Sequence, residues 1–138
     1  IKFEPAIAPH IAAQLSPTTP PLTKHAVTQH IEDFLYQNRN ADVCLIEGAG
    51  GWHLPLNDDE LMSEVISNLK IPVILVVQMQ LGCLNHALLS AEAIQNSDAP
   101  FQGWIANCTN PNIPEMSYLK ENLEFLKKRI EAPYLFSI

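Results

Sequence analysis

Basic side chains are scarce in this chain: 8 Lys and Arg stand against 15 Asp and Glu, a formal charge of −7. That balance lacks the electrostatic footprint of a nucleic-acid or anionic-membrane binder, so neither partner is expected. A small phosphate ligand stays open, because local amides and a few cations suffice to hold one. Long apolar runs are missing too. The longest, Ile71-Pro72-Val73-Ile74-Leu75-Val76-Val77, has the length of a strand and not of a bilayer span. No secretory signal opens the sequence. Only Cys44, Cys83 and Cys108 are present, widely spaced and odd in number. Free thiols in a reducing cytoplasm are therefore expected over a disulfide framework. Also absent are G-x-x-x-x-G-K-[ST], G-x-G-x-x-G, G-x-S-x-G and C-x-x-C. A phosphate-handling enzyme of strands and helices would need the first of these.

What is present reads as one globular domain over 1–138, since 47% of the 138 residues are hydrophobic. The first residue is Ile1 and not Met, which points to a piece of something longer. The opening is punctuated by Pro5, Pro9, Pro17, Pro20 and Pro21, with a short helix over 9–15 whose Pro falls in the first turn. Thr23 has the chemistry of a helix cap, and Val27, Ile31, Phe34 and Leu35 recur at helical spacing, so a helix is expected over 24–38. A turn then leads into a strand at 43–47. Asn57, Asp58 and Asp59 offer caps for a helix whose buried stripe is Leu61, Met62, Val65, Ile66 and Leu69. The acidic run of Asp58, Asp59 and Glu60 is expected to favour the start of that following helix through its dipole.

Further on, a strand is expected at 71–77 with Pro72 at its beginning, then a loop at 78–82 and a helix over 84–96. A less regular third strand spans 101–106 and leads into a loop at 107–113. Met116, Leu119, Leu123, Leu126 and Ile130 mark the last helix, and 134–138 reads as a strand. Strands alternating with helices of this length imply βαβ units, hence an α/β fold with a mostly parallel sheet and flanking helices.

Chemistry is expected where strands end. Val43-Cys44-Leu45-Ile46-Glu47-Gly48-Ala49-Gly50-Gly51 reads as a covered strand that ends in a carboxylate and a glycine-rich turn. Glu47 either holds a hard cation such as Mg²⁺ or faces solvent in an ordinary turn. Leu81-Gly82-Cys83-Leu84-Asn85-His86 opens a helix just past a strand. Its free amides either attract an anion or form an ordinary helix start. Asn107 follows the third strand; its amide either pairs with a purine edge as donor and acceptor or merely forms a turn before Asn110-Pro111. Cys83 reads as a small residue in a tight turn, His86 as structural or exposed, and Trp52 and Trp104 as packing residues. No trusted metal-ligand spacing joins His10, His25, His30 and His53.

In order along the chain, several segments closely resemble dethiobiotin synthase: Glu4-Pro5, Ala8-Pro9-His10, Ile46-Glu47-Gly48-Ala49-Gly50-Gly51-Trp52, Pro55-Leu56, the 71–77 strand, Leu81-Gly82-Cys83-Leu84-Asn85-His86-Ala87 and Gly103-Trp104-Ile105-Ala106-Asn107. The resemblance implies a P-loop NTPase-like, Rossmann-like three-layer fold, incomplete at both ends. It also implies an ATP-dependent cyclo-ligase of biotin biosynthesis. That family takes diaminopelargonic acid, CO₂ and ATP, with Mg²⁺, to dethiobiotin. Carried over, Glu47 is a Mg²⁺ ligand, and Gly48, Ala49 and Gly50 line the nucleotide phosphates. Asn107 contacts the adenine, with Cys108 beside it. Gly82, Cys83, Leu84 and Asn85 lie at a homodimer interface and offer their amides to the substrate carboxylate in the partner's site.

Departures from the family accompany the match. Its P-loop, catalytic lysine and second acidic ligand precede the aligned region, so no catalytic residue is expected here. This piece alone is expected to be inactive and, with an exposed sheet edge, to recruit another chain or aggregate. Gln78 stands where Gly is usual, Gln80 where a basic residue is usual, and Cys108 replaces a common Asp. The alternatives are a non-catalytic binding or scaffold domain of the same fold, or another P-loop ATPase or synthetase.

Overall fold

Residues 7–15, 22–48, 50–109 and 117–138 are described by a computed structural model. The chain divides into two compact units, Ile1–Leu69 and Lys70–Ile138.

The second unit is built on three parallel strands, β1 (Val73–Gln78), β2 (Phe101–Asn107) and β3 (Tyr134–Ser137), in the spatial order β1-β2-β3. Helix α4 (Cys83–Gln95) connects the first pair and α5 (Leu119–Arg129) the second, so each crossover is the β-helix-β unit that the alternating pattern implies. Strand β1 starts two residues later than expected, after Pro72, whose missing N–H keeps it out of the ladder. Met116 lies outside the described residues, as do Asn110, Pro111 and Asn112.

Spacing decides what each element buries. Cys83, Ala87 and Ala91 recur every fourth residue and place small side chains along one face of α4. They join Val77, Met79, Trp104, Ala106, Leu126 and Ile130 in one core. Trp104 is the largest side chain of that core; it is fully buried and its ring lies 4.9 Å from that of Tyr134. Both tryptophans were read as packing residues, and Trp104 packs; Trp52 is half-buried. The side chains of Ile74 and Val76, which alternate with the core-facing ones of β1, remain exposed.

Gly103 is where β2 admits β3. A Cβ there would lie 2.7 Å from the Pro133 carbonyl oxygen and 2.9 Å from Leu135 Cγ. Its φ of +155° is also one that a side chain disfavours. The neighbouring Trp104 N–H donates to that same Pro133 oxygen at 2.9 Å, which begins the β2–β3 pairing.

In the first unit, α1 (Pro9–Leu15) and α2 (Lys24–Gln37) form as expected. Thr23 Oγ1 accepts the Ala26 N–H at 3.2 Å, the bond a helix cap makes. Val27 and Ile31 are the buried positions of α2. Phe34 and Leu35, expected on the same stripe, are exposed. Helix α3 (Met62–Leu69) buries Val65 and packs against α2.

Two expectations fail in this unit. Within the acidic run, Glu60 does not serve the following helix but reaches back to the preceding one. Its carboxylate accepts the Lys24 N–H of α2 at 2.8 Å and the Asn57 side-chain amide at 2.7 Å. The start of α3 is instead served by Glu64, which accepts the Leu61 N–H at 2.8 Å and meets Lys24 Nζ at 3.2 Å. The orphan amides of the first turn of α2 draw the nearest anion in space, not in sequence.

The strand expected at 43–47 is absent as well. These residues form no ladder with any described segment, and Val43 and Leu45 are 73% and 86% exposed. Their apolar pattern is that of a strand covered on both faces, but a strand also needs hydrogen-bonding neighbours, which none of the described residues provides.

Candidate functional site

Because the three strands run parallel, their carboxyl ends meet at one edge, the position where open α/β sheets bind ligands. Strand β1 delivers Gln78 there, β2 delivers Asn107, and β3 delivers Ser137 and the adjoining Ile138. Backbone bonds join the segments beyond the strands. Ile138 N–H donates to the Ala106 oxygen at 3.0 Å, and Cys108 N–H donates to the Ile138 oxygen at 2.7 Å. The Asn107 carbonyl accepts twice from the β1 side, from Met79 N–H at 2.8 Å and from Gln78 Nε2 at 3.1 Å.

The Asn107 side chain is equally constrained. Its Oδ1 accepts the Thr109 N–H at 3.1 Å and the Thr109 hydroxyl at 2.9 Å. A backbone N–H only donates, so the atom facing it is the oxygen and the amide orientation is set. Both bonds are accepted by Oδ1, so the donor atom of the amide is Nδ2. This is the turn that the sequence offered as the alternative to a purine contact. Thr109 was not singled out from sequence, although Asn-x-Thr is a pattern from which an Asx turn can be read. Cys108 is exposed at the same edge, its N–H already committed.

The loop from β1 to α4 borders this edge. Gly82 is the N-cap of α4 with φ 93° and ψ −10°, a left-handed conformation that glycine adopts at little strain, and no side chain caps the helix. The Cys83 N–H is taken by the Gln80 carbonyl at 3.0 Å. The next amides, of Leu84 and Asn85, stand in the uncapped first turn, where backbone N–H groups lack intrahelical partners. Cys83 is a buried core residue, Leu84 half-buried, and Asn85 and His86 exposed. Leu81 at the tip of the loop is 98% exposed.

The glycine-rich turn belongs to the first unit. Glu47 and Gly48 are exposed, and a Cβ on Gly48 would touch nothing within 4 Å. A Cβ on Gly50 would lie 3.2 Å from Leu54 Cδ1. Ala49 lies outside the described residues. Among the described residues, no group of three or more His, Cys, Asp and Glu comes together to hold a metal. A carboxylate oxygen such as that of Glu47 is the kind of donor a hard cation takes. Nearby in sequence, His53 Nδ1 and Ser63 Oγ share a hydrogen bond of 2.9 Å, a pairing that no spacing rule announces. Among the described residues, no helix is long and apolar enough to cross a membrane.

A family model described as an AAA domain matches residues 1–138. The chain is also similar to curated proteins named ATP-dependent dethiobiotin synthetase BioD. It is 45% identical over 138 residues to the one from Chromohalobacter salexigens, covering 96% of this chain and 56% of the relative. For Marinobacter nauticus the figures are 47% over 137 residues, 98% and 55%. For Aeromonas salmonicida they are 42% over 139 residues, 99% and 57%. The chain therefore spans just over half the length of these relatives.

Proposed function

The chain belongs to the AAA-domain family, and from that membership we propose that it is the central and C-terminal part of an ATP-dependent dethiobiotin synthetase. The intact enzyme forms the ureido ring of dethiobiotin from diaminopelargonic acid, CO₂ and ATP, in the cytoplasm and as a homodimer. The observation that most supports this is identity of 42–47% maintained over 96–99% of the chain.

In this reading one substrate amine takes up CO₂ as a carbamate, ATP phosphorylates the carbamate, and the second amine closes the ring as phosphate leaves. Mg²⁺, when bound, offsets phosphate charge as it shifts. Glu47 supplies a carboxylate oxygen to that cation. The backbone of Gly48, Ala49 and Gly50 lies against the phosphates, close approach being possible where Cβ atoms are absent or small. Asn107 donates from Nδ2 to the base, with Cys108 beside it. At the start of α4, Gly82, Cys83, Leu84 and Asn85 form the turn whose free amides hold the substrate carboxylate across the dimer. Since the Cys83 N–H is committed to Gln80, the amides of Leu84 and Asn85 carry that contact.

Glu47→Gln in the intact enzyme tests the assignment. The apparent Mg²⁺ requirement rises and dethiobiotin formation at limiting Mg²⁺ falls at least about ten-fold, the scale of a lost charged ligand. The circular dichroism spectrum stays that of the parent. Unchanged turnover at limiting Mg²⁺ would reject the role of Glu47. Absence of ATP-dependent dethiobiotin formation by the parent enzyme would reject the function itself.

A further inference from the structure

We propose that His53 is a positioning residue for the glycine-rich turn: its bond to Ser63 anchors the end of that turn on α3 and so keeps the backbone of 48–50 in place for the phosphates of the nucleotide. The inference rests on the phosphate contact assigned above to Gly48, Ala49 and Gly50, and it extends that reading to two residues with no assigned part.

The turn itself has little to hold it. Gly48, Gly50 and Gly51 are exposed, and a Cβ on Gly48 or Gly51 would meet nothing within 4 Å. Among the described residues, Leu54 packs against it, with Cδ1 3.2 Å from where a Gly50 Cβ would stand. From Leu54 onward the chain pairs with the segment that leads into α3. The Met62 N–H donates to the Leu54 oxygen at 2.8 Å, Pro55 bridges Leu61 in antiparallel sense, and the Leu56 N–H donates to the Glu60 oxygen at 2.8 Å. In that register the next pair, toward the turn, is His53 and Ser63. Ser63 already lies in the first turn of α3, so the extended backbone does not carry the pairing further. Side chains take over: His53 Nδ1 and Ser63 Oγ lie 2.9 Å apart. The hydroxyl can donate to Nδ1 or accept from it, so either imidazole tautomer keeps the bond. Ser63 is only 4% exposed, and a buried hydroxyl needs a partner. His53 is exposed, so packing alone does not fix its ring. The bond therefore holds the chain just past Gly51, where the glycines join the folded part of the unit.

Calorimetric titration of the intact enzyme with Mg·ATP, together with NMR order parameters of the Gly48, Gly50 and Gly51 amides, tests this. His53→Leu puts a methyl where Nδ1 stood, and Ser63→Ala removes the hydroxyl. His53→Asn keeps a polar atom one bond beyond Cγ, at the position of Nδ1. The first two variants weaken Mg·ATP binding roughly 2- to 12-fold, the worth of one hydrogen bond, and lower the glycine order parameters. His53→Asn stays within about two-fold of the parent. His53→Leu combined with Ser63→Ala is no weaker than the worse single variant, because both remove the same bond. A bond that serves only stability would lower the thermal midpoint and leave Mg·ATP affinity and glycine order at parent values. That result, His53→Asn as impaired as His53→Leu, or additive single effects overturns the proposal, and the synthetase reading stands if the parent binds Mg·ATP. A parent that binds no Mg·ATP removes both.

Discussion

Replacing Gly103 by Ala, beside the same change at Gly82, separates two ways in which a glycine is required. At Gly82 a new Cβ meets open space, so only the left-handed backbone at φ 93° resists it. That strain costs about 1–3 kcal/mol. At Gly103 the backbone also has positive φ, but the Cβ would lie 2.7 Å from a backbone oxygen of Pro133 and 2.9–3.0 Å from Leu135 atoms. A backbone oxygen held by the Trp104 N–H cannot swing away as a side chain can, so β3 must shift. Crowding of this kind adds about 1–3 kcal/mol, bringing Gly103→Ala to about 2–6 kcal/mol. Urea denaturation of the intact protein, followed by far-ultraviolet circular dichroism, gives both values. The order matters more than either figure: Gly103→Ala must be the more destabilising. If it equals or falls below Gly82→Ala, the close approach of β3 to β2 is not as described. The ties from β3 to the Asn107 loop through Ile138 are then in doubt as well.

The first unit supplies two more predictions. Hydrogen bonds from the Lys24 N–H and the Asn57 amide hold the Glu60 carboxyl below the usual glutamate range, and one from the Leu61 N–H followed by Lys24 does the same for Glu64. A lowered folded-state pKa means that the stabilisation is present above the unfolded-state pKa and lost as pH falls through the folded one. Acid titration followed by NMR should show the Lys24 and Leu61 amide shifts moving with the two carboxylates, below the usual glutamate range. Amides insensitive to that titration would refute the contacts. Thr23→Ala removes the cap of α2 and should destabilise by about 1 kcal/mol in a urea melt, with Thr23→Ser losing much less.

How far the fold was legible follows from how local each cause is. Helices α2 and α4 and strands β1 and β2 carry their own period, so their existence could be read directly and their ends to within two residues. Residues 43–47 carry an equally plain apolar pattern, yet form no strand, because pairing is a property of two segments. Within the acidic run, Glu60 misled for a related reason. It serves Lys24, 36 positions upstream, and the dipole argument considers only the helix that follows in sequence. At the candidate site, the position of Asn107 at a carboxyl edge was readable, but its orientation was not. An isolated Asn offers donor and acceptor alike, and only the Thr109 contacts show which atom accepts.

Gln78 illustrates what a departure from a family pattern can mean. By sequence it is only a larger residue where glycine is usual. In the structure its amide points along the edge to the Asn107 carbonyl, 29 positions away, and adds a bond that glycine cannot make. The parallel register places Gln78 directly opposite Asn107. A long amide at that position is therefore within reach of the partner strand's last carbonyl.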